Sequence, residues 1–266
     1  MNTTASLRIT HIGGPTTLIE VGGWRLLTDP TFDPPGRRYT FGWGTSSRKI
    51  TGPAIPAADL GPIHAVLLSH DHHGDNLDDA GRALLNDTQT VLTTEAGARR
   101  LGPATRGLRA NTTTLLTHPD RPTIEVTATP CRHGPPLSGP IVGDVIGFAL
   151  RWDGQQHGAL WITGDTVLTR RVHAAATGIR VGTVLLHLGG VRFPLTGPLR
   201  YSMTARRAVQ LCTAVLPHTT IPVHYEGWQH FQEPREVIER AFAAAPPPVR
   251  DSVRWLPPGE PTTVPA

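Results

Sequence analysis

The sequence predicts an α/β fold in which two β-sheets pack together and helices cover them. Three observations carry this prediction. Strand-sized apolar runs, such as Ala65–Ser69 and Ala159–Thr163, recur along the chain. Glycine and proline (28 and 26 of 266 residues) punctuate short elements. The order is many strands, then strand alternating with helix, twice over, which suits stacked sheets with outer helices.

Each element follows from its local pattern. Leu7–Ile12, Thr16–Val21 and Trp24–Thr28 read as consecutive strands, with Gly22-Gly23 as a hairpin turn between the last two. Residues 33–56 are rich in Gly, Pro, Arg and aromatics and too long for an ordinary connection, so a functional loop or lid is expected there. Ala65–Ser69 is a short apolar strand that runs into a histidine cluster. Leu77–Leu85 has helical spacing, Val91–Thr93 is a strand and Glu95–Leu101 a helix. Thr112–Leu116, Thr123–Ala128, Val145–Trp152, Ala159–Thr163 and Thr183–Leu188 read as strands. Met203–Val215 is a helix that Ser202 or Thr204 can cap. Ile221–Val223 is a late strand, and Pro234–Ala245 a helix that Pro246–Pro248 stops. No internal repeat or long linker divides the chain, so residues 1–266 are expected to form a single domain.

Bulk composition narrows the function classes. About 38% of residues are hydrophobic, but no apolar run approaches the roughly 20 residues a bilayer span needs. Residues 1–6 lack a secretory pattern, and a cytoplasmic protein is expected. The formal charge is +4, and Lys49 is the single lysine. The arginines are scattered, with no basic stripe interleaved with aromatics, so no nucleic-acid partner is expected. A small-molecule substrate is expected instead, and oligomeric state stays open. Cys131 and Cys212 make no disulfide framework.

The most informative segment is Ser69-His70-Asp71-His72-His73-Gly74-Asp75-Asn76-Leu77-Asp78. It follows an apolar strand, where α/β folds carry ligands. Imidazole nitrogen and carboxylate oxygen both suit Zn²⁺, and histidines spaced i, i+2 in a turn can converge on one ion. Polar residues follow strand ends elsewhere too: His133, Asp165 and His224. This repeated placement points to one metal constellation assembled from distant parts of the chain.

With these residues the chain resembles the metallo-β-lactamase superfamily, whose signature is His-x-His-x-Asp-His after a strand, with a lone histidine, a bridging aspartate and a final histidine at later strand ends. His70 and His72 match the first two positions, His133 the third, Asp165 the bridging acid and His224 the last ligand. Asp29, in Leu26-Leu27-Thr28-Asp29-Pro30, looks like the aspartate that supports the site from behind. The resemblance spans roughly residues 7–230. It is strongest to the branch of ascorbate-6-phosphate lactonase-like and N-acyl-phosphatidylethanolamine phospholipase D-like proteins. It implies an αββα four-layer sandwich of two mixed β-sheets. It also implies metal ligands at His70, His72, Asp75, His133, Asp165 and His224, with Asp75 and Asp165 catalytic.

One departure stands out. The pattern's Asp-His pair falls on Asp75-Asn76, one residue late, and an amide oxygen is a poorer zinc ligand than imidazole. His73 could supply the missing nitrogen, and His187 is a further residue placed near the site. One or two ions are expected, zinc first, with Mn or Fe as alternatives. The implied activity is hydrolysis of an ester, lactone or phosphodiester by metal-activated water. The competing reading is a non-catalytic metal-binding or sensing protein whose second site has decayed. Arg48, Lys49, Arg192, Trp228 and His230 are candidates for substrate binding.

Overall fold

The computed structural model describes residues 6–136 and 138–266. The first half contains β1 (Leu7–Gly13), β2 (Thr16–Val21), β3 (Trp24–Thr28), β4 (Arg38–Thr40), β5 (Ser46–Arg48) and β6 (Ala65–Leu67). After these come α1 (Asp79–Leu84), β7 (Thr90–Thr94), α2 (Glu95–Leu101) and β8 (Thr105–Leu108). The second half continues with β9 (Thr113–His118), β10 (Arg121–Pro130), α3 (Gly139–Val142), β11 (Ile146–Arg151), β12 (Ala159–Ile162) and α4 (Arg170–Thr177). It closes with β13 (Val181–His187), α5 (Ala205–Val215), β14 (Thr219–Val223), α6 (Arg235–Ala243), α7 (Pro247–Arg250) and β15 (Thr262–Val264).

Two large mixed sheets result. One has the order β15-β1-β2-β3-β6-β7-β8 and the other β14-β13-β12-β11-β10-β9. In the first, β1–β3 are antiparallel and β3, β6, β7 and β8 parallel. In the second, β12–β14 are parallel and β9–β12 antiparallel. Two antiparallel pairings separate β10 from β12, so both run the same way. The exits of β10, β12, β13 and β14 therefore open at one rim.

A continuous apolar core separates the sheets. Ile9, Leu26, Leu67 and Leu92 from one sheet pack with Val126, Phe148, Ile162, Leu185 and Ile221 from the other. Full burial of each such side chain contributes roughly 1.5–3 kcal/mol. The outer faces are also covered. Leu211 of α5 and Ile238 and Phe242 of α6 join Trp161, Val184 and Leu186 in a second cluster. On the opposite side Leu77 and Leu84 pack with Val66, Leu68 and Val91. This is the expected arrangement of two mixed sheets with outer helices.

Local chemistry explains the helix starts. Asp78 accepts Gly81 N at 2.8 Å, Thr94 accepts Gly97 N at 2.9 Å, and Thr204 accepts Arg207 N at 3.4 Å. The first helix thus begins at Asp79 rather than Leu77, and α5 begins at Ala205 rather than Met203. Residues 33–56 are not wholly irregular, because β4 and β5 pair there with Arg38 opposite Arg48. Further elements went unanticipated: β8, α3, α4, α7 and β15, the last pairing with β1 at the sheet edge.

Candidate metal centre

The segment after β6 begins with an anchored backbone. Ser69 N donates to Asp29 Oδ1 at 2.6 Å, and Asp29 Oδ2 lies 3.4 Å from His187 Nε2. Asp29 has φ 31° and His224 φ 56°, left-handed values for side-chain-bearing residues. Such conformations cost on the order of 1–3 kcal/mol each and concentrate at functional sites. Both residues leave strands at the shared rim.

Three histidines meet there. His73 Nδ1 lies 3.2 Å from His70 Nε2 and 3.1 Å from His133 Nε2. The remaining nitrogens of His70 and His133 are occupied. His70 Nδ1 is hydrogen-bonded to Ser69 Oγ at 2.9 Å, and His133 Nδ1 donates to Tyr201 O at 2.6 Å. That fixes the tautomer of His133, so its Nε2 presents a lone pair to the centre, the arrangement metal-ligating histidines need. His72 stays beside them: its Nε2 hydrogen-bonds Val142 O in α3, and it offers a ring nitrogen within 4.8 Å of ligand nitrogens of His70 and His73. His73 therefore joins the expected pair His70 and His72 at the same turn.

Beside this trio sit the acids. Asp75, Asp165 and His224 bring ligand atoms within 4.8 Å of one another, and so do His70, His133 and Asp165. His224 Nδ1 is 3.2 Å from Asp165 Oδ1, and its Nε2 is 3.4 Å from Asp75 Oδ2. Asp165 and His224 are fully buried, yet neither makes a side-chain hydrogen bond among the described residues. Asp75 Oδ1 and Asn76 Oδ1 are likewise buried without a partner. Buried polar atoms left this way cost about 1–3 kcal/mol apiece, a debt that a bound cation removes.

The electrostatics agree. Burial pushes the imidazoles of His70, His73 and His224 below their usual value, and that of His133 down to about 4. All four are neutral at neutral pH and ready to ligate. Burial pushes Asp165 well above the carboxylate range, with Asp75 and Asp29 adding repulsion. Burial pushes Asp75 up as well, but His224 and His230 beside it outweigh this and hold it well below that range. Two carboxyl groups and four neutral imidazoles along one rim, in overlapping sets of three, fit divalent-cation binding.

A narrow cavity opens onto the cluster. His73, Asp75 and His133 form its floor, and Phe41, Trp43, Val142, Val191, Phe193 and Tyr201 its walls. Phe41 stands 5.4 Å from the His73 ring and 5.4 Å from Phe193. Of the residues expected to bind substrate, Arg48, Lys49, Arg192 and Trp228 lie outside this lining. Lys49 is 3% exposed and spends its charge on Asp78, at 2.8 Å. Arg48 is exposed, and Arg192 is exposed and hydrogen-bonded to Gln232. Trp228 packs on Tyr39 and Phe41 behind the cavity wall. His230 reaches the centre itself, with Nε2 3.1 Å from Asp75 Oδ2. Phe41 and Trp43 fall in the stretch 33–56 expected from sequence to be a lid, whereas sequence reasoning missed Phe193 and Tyr201 as walls.

A rim of neutral imidazoles and carboxyl groups between two sheets is a candidate metal centre. The chain belongs to the beta-lactamase superfamily, whose family pattern matches residues 24–225, and it is an enzyme of the metal-dependent hydrolase class. A curated relative, a metal-dependent hydrolase of Carboxydothermus hydrogenoformans, is 26% identical over 232 residues, covering 84% of this chain and 86% of that one. Among solved structures, an isothiocyanate hydrolase from Delia radicum gut bacteria superposes with TM-score 0.79 at 19% identity, covering 97% and 100% of the two chains. CmlA, a diiron β-hydroxylase from Streptomyces venezuelae, superposes with TM-score 0.68 at 16% identity, covering all of this chain and 55% of that one. These likenesses between structures speak to fold. Among the described residues no helix is long and apolar enough to cross a membrane.

Proposed function

We propose that the chain hydrolyses a small, uncharged ester or lactone carrying an apolar group. His70, His73 and His133 would hold a first ion, and Asp75, Asp165 and His224 a second. His73 thus takes the place that the sequence pattern gave to His72. Zinc suits this nitrogen and oxygen donor set, with manganese or iron as competitors. A bound divalent ion supplies a Lewis acid and makes water acidic enough to attack near neutral pH.

The chain's own groups do the rest. Asp75 lines the cavity floor with Oδ1 free of any partner among the described residues, so it can orient water and take its proton. Asp165 lies between the two sets of donors. The aromatic walls exclude bulk water and strengthen electrostatic interactions at the reacting carbon.

The single observation behind the substrate class is the cavity wall. No arginine or lysine lines it among the described residues, so a permanently anionic phosphodiester finds no side-chain cation there. Isothiocyanates are also small uncharged electrophiles, and the Delia radicum enzyme acts on them, so they belong in the same panel.

The test is turnover by metal-loaded protein of phenyl esters, an aliphatic lactone, a phenyl isothiocyanate and bis(p-nitrophenyl) phosphate. The expected result is kcat/KM at least about tenfold higher for the best uncharged substrate than for the phosphodiester, a difference of about 1.4 kcal/mol. The phosphodiester as best substrate, or no turnover of any uncharged one, overturns the reading.

A further inference from the structure

We infer that His230 supplies the second metal site with the nitrogen that Asn76 cannot give. This rests on the metal-dependent reading above. The inference starts from a deficit. Asn76 is fully buried, and its Nδ2 donates to Ser69 Oγ at 3.4 Å. Its Oδ1 is buried without a partner among the described residues, and a neutral amide is a poor substitute for an imidazole ligand. The second donor set then consists of Asp75, Asp165 and His224.

His230 reaches the same acids from another part of the chain. It lies after β14, in a segment tied down by Trp228, which bridges to Lys49, and by Gln229 N, which donates to Arg48 O at 3.1 Å. Phe41 and Phe193 flank its ring at 5.0 and 5.4 Å. The ring is 4% exposed, and neither nitrogen makes a hydrogen bond among the described residues. Its Nε2 is nevertheless 3.1 Å from Asp75 Oδ2, the oxygen that His224 Nε2 approaches to 3.4 Å. Asp75 therefore stands between two imidazoles.

An aromatic pocket of this kind would be filled more cheaply by phenylalanine. Burying an imidazole with both nitrogens idle is unfavourable by about 1–3 kcal/mol per atom. A ligand role for Nε2 removes that cost, and the nitrogen lost from one loop returns from another. A purely positioning role, in which His230 only orients Asp75, predicts different metal stoichiometry and is separated by the same experiment.

The full-length chain is stripped with chelator and titrated with Co²⁺ alone, following metal content and visible absorption. The wild type is expected to take up two equivalents. His230→Ala, and His230→Gln as the variant closer in size, are expected to lose the second equivalent or bind it about 100-fold more weakly. Asn76→His in the His230→Ala background is expected to restore it. The His230 assignment fails if both variants keep the wild-type titration, or if the wild type and the variants alike stop at one equivalent. Metal uptake by the wild type then still supports the hydrolase reading. A wild type that takes up no Co²⁺ sinks both.

Discussion

His72 and His73 are neighbours in the chain with rings 4.5 Å apart, yet their nitrogens meet different partners. His72 leans on the carbonyl of Val142, while His73 Nδ1 sits between His70 and His133. The sequence made the cluster visible, because three histidines and two acids directly after an apolar strand have few other uses. It did not reveal which histidine faces inward. That depends on the backbone of a turn, and adjacent residues in a turn follow no fixed period. His230 was legible only as a substrate-binding candidate for a related reason: it lies on a loop with no strand in register to aim it. Two predictions belong to this scale. His73→Ala should remove one equivalent of metal and lower kcat/KM by about 1000-fold or more, roughly 4 kcal/mol. His72→Ala should keep the metal and stay within about tenfold of wild-type kcat/KM, both checked by metal analysis and steady-state kinetics. Equal losses in the two variants would return His72 to the ligand set. The second prediction is a pH dependence of the metal-free protein. Burial depresses the His133 imidazole from 6.5 to about 4, so the unfolded chain binds the extra proton between those values. Stability contributed by neutral His133 is complete above about pH 6.5 and is lost as pH falls towards 4, by on the order of 3 kcal/mol. Urea titrations of stripped protein at pH 7 and pH 4.5 should show this fall, and His133→Asn should reduce it.

The β4–β5 hairpin is the element that roofs the site, and a buried ion pair adds to the aromatic cluster that holds it there. Lys49, just past β5, is paired with Asp78, and Asp78 also caps α1 and accepts Phe32 N at 2.9 Å and Asp33 N at 2.7 Å. One buried carboxylate thus joins the roof, the exit of β3 and the first helix. The long stretch 33–56 was legible as a special loop from its composition, but the hairpin within it was not. Arg38-Tyr39-Thr40 and Ser46-Ser47-Arg48 carry no alternating apolar face, since their pairing is fixed by Lys49 and the aromatic cluster beneath. For α4 the missing signal was bulk: Val172 and Ala176 are the buried residues of an eight-residue segment rich in arginine and alanine. Lys49→Ala should therefore act on stability. It leaves Asp78 buried beside backbone donors only, and about 3–5 kcal/mol is expected to be lost on breaking a buried pair. The reduced midpoint in denaturant is the readout. Raised KM with unchanged stability would instead restore Lys49 to the substrate site.

At the scale of the whole molecule, the centre lies across the seam between the two sheets. Asp29, His70, His73 and Asp75 follow strands of the first, and His133, Asp165, His187 and His224 follow strands of the second. Sequence order showed this much, because polar residues at successive strand ends imply a common rim. It did not show how the halves are held there. Their apolar faces meet in the core, but at the rim three buried carboxylates, Asp29, Asp75 and Asp165, confront each other. Without a cation the folded state carries that repulsion and the idle lone pairs; with one, the same atoms join the halves. Metal should therefore stabilise the entire domain. At free metal about 1000-fold above Kd the gain is about 4 kcal/mol. For a chain of this length each kcal/mol moves the melting temperature by about 2–4 °C. Stripping the protein is expected to lower Tm by about 8–16 °C, and re-adding Zn²⁺ should reverse the fall. Asp165→Asn separates the two causes. It removes a charge that burial opposes, so the stripped variant should melt above the stripped wild type. Having lost a ligand, it should gain much less from Zn²⁺. A variant that melts lower when stripped and gains as much from metal would mean that Asp165 holds the fold and not the ion.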